Sequence, residues 1–284
     1  MNPSCALCGR PSPARFTRGR YVIHRCEACD LEFVWPTPSP DDVRAVYERG
    51  YFVGEGHGYE DYFGRERSQA DRKAAVRLEA LASLGKTSGS MLDFGCAAGY
   101  FVEAARARGW RSFGVEPSPE AQRAWSDASR EYLVTSLEEA ATRGPFDVIT
   151  AWDVLEHLPD PLATLASLRK LAAPGAVFAV VTPVIGNVNT RLAPSTWDQY
   201  KPPEHLWFFS RAAMRATLRK GAGMKVVRED VAWSRPSRFV DPEGRSKALP
   251  TRIARSVEGA LFRAMSAVAP SLTVDSVAFY AVEE

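Results

Sequence analysis

From Met91 to the end of the chain, short apolar runs alternate with segments of helical periodicity. No other feature narrows the fold as far. MLDF, SFGVE, EYLV, FDVITAW, AVFAVVTP and MKVVRED read as six strands, and DSVAFYAVEE as a last one. Helices are expected between them, at about 100–108, 119–128, 137–142, 160–172 and 211–221. Strand–helix alternation of this kind implies a mostly parallel sheet with helices on both faces. The length of 284 residues accommodates such a domain plus a small module. With 45% hydrophobic and 25% charged residues, the composition is that of an ordinary soluble globular protein.

The small module announces itself upstream. Four of the five cysteines form two C-x2-C pairs, Cys5/Cys8 and Cys26/Cys29, separated by 17 residues. Two knuckles at that spacing can offer four thiolates to a tetrahedral zinc ion, and four thiolates leave no open coordination position. The site is therefore structural. Disulfides are disfavoured because the N-terminus carries no apolar signal-peptide core. No run approaches the length of a membrane span, so a cytoplasmic protein is expected.

A Pro-rich connector, VWPTPSPDD, follows the knuckles and prevents helix until Asp41 or Asp42 can cap one. Helical spacing then carries Val43, Val46 and Tyr47. The Gly- and aromatic-rich segment 51–64 suggests a ligand-covering lid, with His57 a weak candidate contact. An amphipathic helix is expected from Arg65 to Leu84. The organisation expected is a zinc module at 1–40, a helical and aromatic linker and lid at 41–85, and a main domain at 86–284.

LDFGCAAGYF, residues 92–101, reads as a strand, a small-residue turn and the start of a helix. It is neither a dinucleotide fingerprint nor a P-loop. Asp93 precedes the turn and Glu116 ends the next strand, where a carboxylate can take both hydroxyls of a ribose. These residues resemble the first two motifs of the class I S-adenosylmethionine-dependent methyltransferases, with Ala97 replacing the middle glycine of Asp93-Phe94-Gly95-Cys96-Ala97-Ala98-Gly99. FDVITAWDVLEHLPDP and LAAPGAVFAVVTP resemble the fourth- and fifth-strand motifs, so that the likeness runs over residues 66–230. It implies a Rossmann-like, seven-stranded α/β sheet beside a zinc-ribbon-like module. It also implies that Asp93, Gly95 and Gly99 hold the methionine part of the cofactor, Glu116 the ribose, and Ser136 and Leu137 the adenine. Cys96, Ala97, Tyr100, Pro117, Trp152 and Asp153 complete the implied cofactor set.

The acceptor side is more individual. DVLEH places Asp153, Glu156 and His157 at helical spacing on one expected face. His157 fits three roles: a general base, part of a divalent-metal site like that of the quinone O-methyltransferases, or a brace for the loop. KPPEHLWFFS resembles a stretch after the fifth strand in methyltransferases of sugar and glycan pathways, where it covers the acceptor pocket. Glu204 and His205 are then candidate catalytic groups, His205 as acceptor contact or base, within a cover loop at 184–210; the alternative is a surface loop whose aromatics pack on the sheet. The four-Cys leader followed by Tyr47, Tyr51 and Phe52 resembles that of the sugar C-methyltransferases, where it frames the substrate cleft. Aromatic faces are also favourable neighbours for a sulfonium. His24 is read as structural.

The leading expectation is methyl transfer from S-adenosylmethionine to a small molecule: a sugar, glycan or secondary-metabolite hydroxyl or carbon. An RNA methyltransferase is the runner-up, disfavoured by a net charge of only +2 and a knuckle region without dense basic and aromatic surface. A non-catalytic cofactor-binding module is the third. An extra helix at 251–270, with Ile253, Val257, Leu261, Met265 and Val268 on its apolar line, would pack on the domain, on a second subunit in a homodimer, or more rarely on a membrane.

Overall fold

The structure is a computed structural model and describes residues 2–48, 62–192, 194–233 and 273–284. The lid residues Tyr51, Phe52 and His57 and the helix expected at 251–270 lie outside the described residues, as does the side chain of Tyr47.

Three strands open the chain: β1 (Ala14–Arg18), β2 (Tyr21–Cys26) and β3 (Leu31–Val34). Two helices follow, α1 (Pro40–Glu48) and α2 (Tyr62–Ala82). The main domain then runs β4 (Ser90–Phe94), α3 (Tyr100–Arg106), β5 (Arg111–Val115), α4 (Pro119–Gln122), β6 (Leu133–Val134), α5 (Leu137–Ala141), β7 (Phe146–Trp152), α6 (Pro161–Arg169) and β8 (Ala172–Pro183). It continues with α7 (Val188–Leu192), β9 (Trp207–Phe209), α8 (Arg211–Ala222), β10 (Met224–Trp233) and β11 (Ser276–Glu283).

Seven strands form one sheet in the order β10-β11-β8-β7-β4-β5-β6. Strands β6, β5, β4, β7 and β8 are parallel neighbours, and β11 runs antiparallel to both β8 and β10. All seven expected strands are present. The chain leaves β4 first toward β5 and later returns to its other side with β7, so the turn after β4 lies at the reversal of strand order. Ligands of open α/β sheets bind at such a point. Two faces of apolar side chains fill the space between sheet and helices, one around Leu92, Ile149, Phe178 and Phe279 and the other around Met91, Val148, Val177 and Leu81.

Two local expectations are corrected. Helix α4 spans only four residues, against ten expected, and α1 begins two or three residues early because Ser39, not Asp41 or Asp42, caps it. Ser39 Oγ accepts from Asp42 N at 3.1 Å while Asp42 Oδ2 accepts from Ser39 N at 3.2 Å, a reciprocal capping box.

The larger correction concerns KPPEHLWFFS, which is not a cover loop alone. Its last residues form β9, the fourth strand of a second sheet ordered β1-β2-β3-β9. Leu31, Glu32 and Phe33 of the leader pair antiparallel with Phe209, Phe208 and Trp207. Val34 N donates to Leu206 O at 2.9 Å, extending the ladder. Phe208 packs into a leader cluster with Ile23, Val34, Trp197 and Tyr200, whereas Phe209 packs into the core of the main sheet. Burial of each phenyl ring contributes about 1.5–3 kcal/mol, so β9 fastens the leader to the domain.

A buried polar network reinforces the joint. Glu32 is fully buried on β3. Its carboxylate pairs with Arg15 of β1 and accepts the Tyr200 hydroxyl at 2.6 Å. Arg18 donates to the carbonyl oxygens of Tyr200 and Ser195 at 3.0 and 2.6 Å. Lys220 of α8 donates to the carbonyls of Ala6 and Leu7 at 2.8 Å, gripping the first knuckle.

Removing one partner of a buried pair strands the other in a dry site. Glu32→Ala should therefore cost about 3 kcal/mol in urea unfolding. A loss below about 1 kcal/mol would place this variant among ordinary surface substitutions and contradict the network's role.

Candidate functional site

The carboxyl ends of β4, β5, β7 and β8 converge on one edge of the sheet. At the end of β4, Asp93 is buried and its Oδ1 accepts from Thr150 Oγ1 of β7 at 2.6 Å. Burial pushes the Asp93 carboxyl up to about 7, against the Thr150 hydrogen bond and the Arg77 guanidinium, which pull it down. The turn that follows is held to β5: Val115 O accepts from Gly95 N and Cys96 N at 2.8 and 3.1 Å.

The turn uses left-handed backbone three times, at Gly95 (φ 75°), Ala97 (φ 48°) and Gly99 (φ 79°). The substitution of Ala97 for glycine thus falls where a side chain is strained, a cost of about 1 kcal/mol. Its amide is well used: Ala97 N donates to Glu116 Oε2 at 3.0 Å. Gly99 has a second constraint, since a Cβ there would lie 2.5 Å from Leu133 Cδ1. Val46 of α1 and Phe63 of α2 pack against Ala97 and Ala121.

Glu116, at the end of β5, is nearly buried, and burial raises its pKa. One carboxylate oxygen accepts from Ala97 N and the other from Ser118 N at 2.8 Å. Each oxygen keeps a second lone pair, enough to accept two vicinal hydroxyls. Pro117 lies between Glu116 and Ser118. Ser136 caps α5 by accepting from Glu139 N at 3.3 Å, and Leu137 is the first residue of that helix. Tyr100 begins α3, beneath the Arg67 guanidinium at 5.3 Å.

Arg77 went unnoticed in the sequence. It belongs to α2, and its guanidinium lies 4.1 Å from the Trp152 ring centroid and 5.4 Å from that of Phe101. Asp153 and Asp93 are the leading charges that favour its cationic form, against burial. A lone arginine in an amphipathic helix of many charges carries no local signal. Only the packing of α2 across the sheet edge reveals it.

The DVLEH face expected from helical spacing does not form. Asp153 adopts φ 55°, and a 3-10 turn spans Leu155–His157. Asp153 thereby leaves the group, and His205 takes its place: ligand-type atoms of Glu156, His157 and His205 lie within 4.8 Å of one another. His157 and His205 meet edge to face with centroids 4.5 Å apart. His157 Nδ1 donates to Glu204 O, and His205 Nδ1 to Gln199 O, each at 3.0 Å. A carbonyl oxygen only accepts, so both Nδ1 atoms carry the proton and both neutral rings present Nε2 as a base. Burial holds His157 down at about 4 and His205 well below its ordinary range. Glu204 is buried, pairs with Lys201, and has Oε1 3.9 Å from His205 Nε2. Glu156 is fastened by Thr182 Oγ1 at 3.0 Å.

In the leader, the sulfur atoms of Cys5, Cys8, Cys26 and Cys29 also lie within 4.8 Å of one another, with Cys8 and Cys26 at 3.6 Å. Four thiolates around one zinc ion at the usual bond length sit about 3.8 Å apart. The arrangement fits. His24 is committed elsewhere, its Nδ1 donating to Ser12 O at 2.9 Å.

A methyltransferase-domain family matches residues 66–229, more than half of the chain. The chain belongs to the methyltransferase-domain family. Among curated relatives, ubiquinone biosynthesis O-methyltransferase from Xanthomonas campestris is 32% identical over 116 residues, covering 38% of this chain and 48% of that protein. The enzyme of the same name from Xanthomonas euvesicatoria is 30% identical over 179 residues, covering 55% of this chain and 71% of that protein. The chain thus spans about half the length of the curated relatives it matches first. Among solved structures, an S-adenosylmethionine-dependent methyltransferase from Archaeoglobus fulgidus superposes with a TM-score of 0.50 at 16% identity, over 78% of this chain and 99% of that one. Magnesium protoporphyrin IX methyltransferase from Synechocystis, with bound SAH, gives 0.50 at 16% identity over 86% of this chain and 100% of that one. These likenesses place the seven-stranded sheet in the methyltransferase fold. No described helix is long and apolar enough to cross a membrane.

Gly99→Ala should destabilise this protein by about 1–3 kcal/mol, from overpacking against Leu133 and a strained φ. Thermal and urea unfolding would show it, and unchanged stability would contradict the close packing of the turn.

Proposed function

We propose that this methyltransferase moves the sulfonium methyl of S-adenosylmethionine to a hydroxyl or carbon of a small molecule, specifically a sugar, glycan or secondary metabolite. The observation carrying this reading is the convergence on one sheet edge of two half-sites. One is the Asp93–Gly99 turn with Glu116; the other is the buried group of His157, Glu204 and His205.

In this reading Asp93, Gly95, Cys96, Ala97, Gly99 and Tyr100 surround the methionine part. Glu116 and Pro117 meet the ribose, Ser136 and Leu137 the adenine, and Trp152 and Asp153 the reacting end. Arg77 supplies positive charge for the cofactor's carboxylate. The leaving group is already a sulfonium, so rate comes mainly from holding acceptor, methyl and sulfur in line. An acceptor oxygen bonds to the methyl carbon as the carbon–sulfur bond breaks with its electron pair staying on sulfur, and the hydroxyl proton passes to Nε2 of His205 or His157. His205, His157 and Glu204 are the catalytic groups placed to meet that acceptor atom. Two neutral imidazoles in a dry pocket support a role toward a hydroxyl. The curated O-methyltransferase relatives support oxygen as the atom methylated. The absence of a strong positive charge favours a small molecule over RNA.

The zinc module, on this account, is a structural part of the acceptor side. Cys5, Cys8, Cys26 and Cys29 hold one zinc ion, and β3 passes its order to β9.

Calorimetry should find cofactor affinity lowered at least tenfold in Glu116→Ala, and an unchanged affinity would remove the ribose assignment. His205→Ala should reduce turnover of a true acceptor by roughly 10²-fold or more, within the range of acid–base effects, while leaving cofactor affinity intact. Elemental analysis should return zinc in proportion to chain, with chelation unfolding the leader; a zinc-free native protein would end the zinc assignment.

A further inference from the structure

We propose that Glu156, His157 and His205 form a second metal site, one that takes a divalent first-row transition ion such as Zn2+, Mn2+ or Co2+. The inference rests on the acceptor-side placement given under Proposed function and alters the part the two rings play there: with an ion bound, each Nε2 lone pair goes to the metal, so His157 and His205 would hold the ion beside the acceptor rather than take its proton. It also differs from the site that helical spacing in DVLEH suggests, because Asp153 is excluded and the third ligand comes from the segment beside β9.

Three observations carry it. First, the donor set is chemically specific: two imidazoles and one carboxylate suit transition ions rather than magnesium or calcium. Their ligand-type atoms lie within 4.8 Å of one another, and His157 Nε2 is 4.0 Å from Glu156 Oε1. Ligands around one ion at a bond length of about 2.1 Å stand about 3.0–3.4 Å apart, so small side-chain rotations close the set.

Second, both rings are already oriented as metal-bound histidines are. Each donates Nδ1–H to a backbone carbonyl, Glu204 O or Gln199 O, which fixes the tautomer with the lone pair on Nε2. Glu156 is likewise held through Oε2 by Thr182.

Third, Glu156 is 99% buried, and its Oε1 has no hydrogen-bond partner among the described residues. An orphaned carboxylate oxygen in a dry site is costly, and no arginine or lysine pairs with Glu156 among the described residues. Lys201 instead pairs with Glu204, which takes that neighbouring carboxylate out of the ligand set. A divalent ion would give the orphaned oxygen its partner and join the two histidines to it.

Cobalt titration of the full-length protein tests the site after the four-thiolate set has been filled with zinc. One further equivalent should bind, with d–d absorption and without the thiolate-to-cobalt charge-transfer band that a four-cysteine site produces. Elemental analysis after dialysis should retain that equivalent in the wild type and lose it in Glu156→Gln and His205→Gln. Mn2+ should selectively broaden the ring signals of His157 and His205 in wild-type NMR spectra, a readout independent of whether a variant folds. No uptake by the zinc-loaded wild type overturns the inference, as does equal uptake by both variants or broadening of other histidines only. Methyl transfer by protein shown to hold no second metal would overturn this site as an acceptor-side metal centre and leave the proposed function standing. A metal-loaded protein with no affinity for S-adenosylmethionine would do the reverse.

Discussion

The antiparallel pairing of β3 with β9 is the constraint on which the placement of Glu204 and His205 depends. Only three residue pairs are involved, yet they join the four-cysteine leader to the segment that carries Glu204 and His205. A three-residue strand has little stability alone. It persists here because Phe208 is buried in the leader and Phe209 in the main core, and because Ile185 N donates to Phe209 O at 2.9 Å. Leu206 N then donates to Glu156 O at 2.8 Å, and Trp207 Nε1 to Leu158 O at 2.7 Å. The ladder thereby fixes the distance between the two histidines. Glu32 and Tyr200 brace the same segment from the leader side, next to Gln199, whose carbonyl orients His205.

Burial moves the acids and the histidines of this sheet edge in opposite directions. Asp93, Glu116 and Glu156 are carboxyls out of water, and burial raises the pKa of each. The histidines are held neutral by the same desolvation. Buried acids of this kind would gain from a cationic neighbour. On the proposed reading, a sulfonium beside Asp93 and a divalent ion beside Glu156 would each relieve a buried acid, and Arg77 on the Trp152 face would answer the cofactor's own carboxylate. Low dielectric makes these interactions strong.

Much of this was legible in the sequence, for identifiable reasons. Each of the seven main strands carries its own apolar run, and the four cysteines carry their own spacing, so local pattern sufficed. The Asp93 turn and Glu116 could be placed because their position relative to the strands is what gives them meaning. By contrast, β9 pairs with residues more than 170 positions earlier, and WFF reads equally well as a loop that packs. Asp153 was misplaced because helical spacing was assumed where the backbone turns left-handed. Arg77 was invisible because its significance lies wholly in what α2 crosses. The failures share one physical cause: they concern contacts between elements, whereas periodicity describes elements singly.

On the proposed reading, a zinc-bound leader builds the acceptor wall through β9 without building the cofactor half. Amide hydrogen exchange, measured on the zinc-loaded protein and again after chelation, tests it most directly. Loss of zinc should accelerate exchange at Leu206, Trp207 and Phe208 together with the leader strands, while β4, β5 and the Gly95–Gly99 turn keep their protection and cofactor affinity is retained. Unchanged protection across β9 after the leader has lost its metal would contradict the claim.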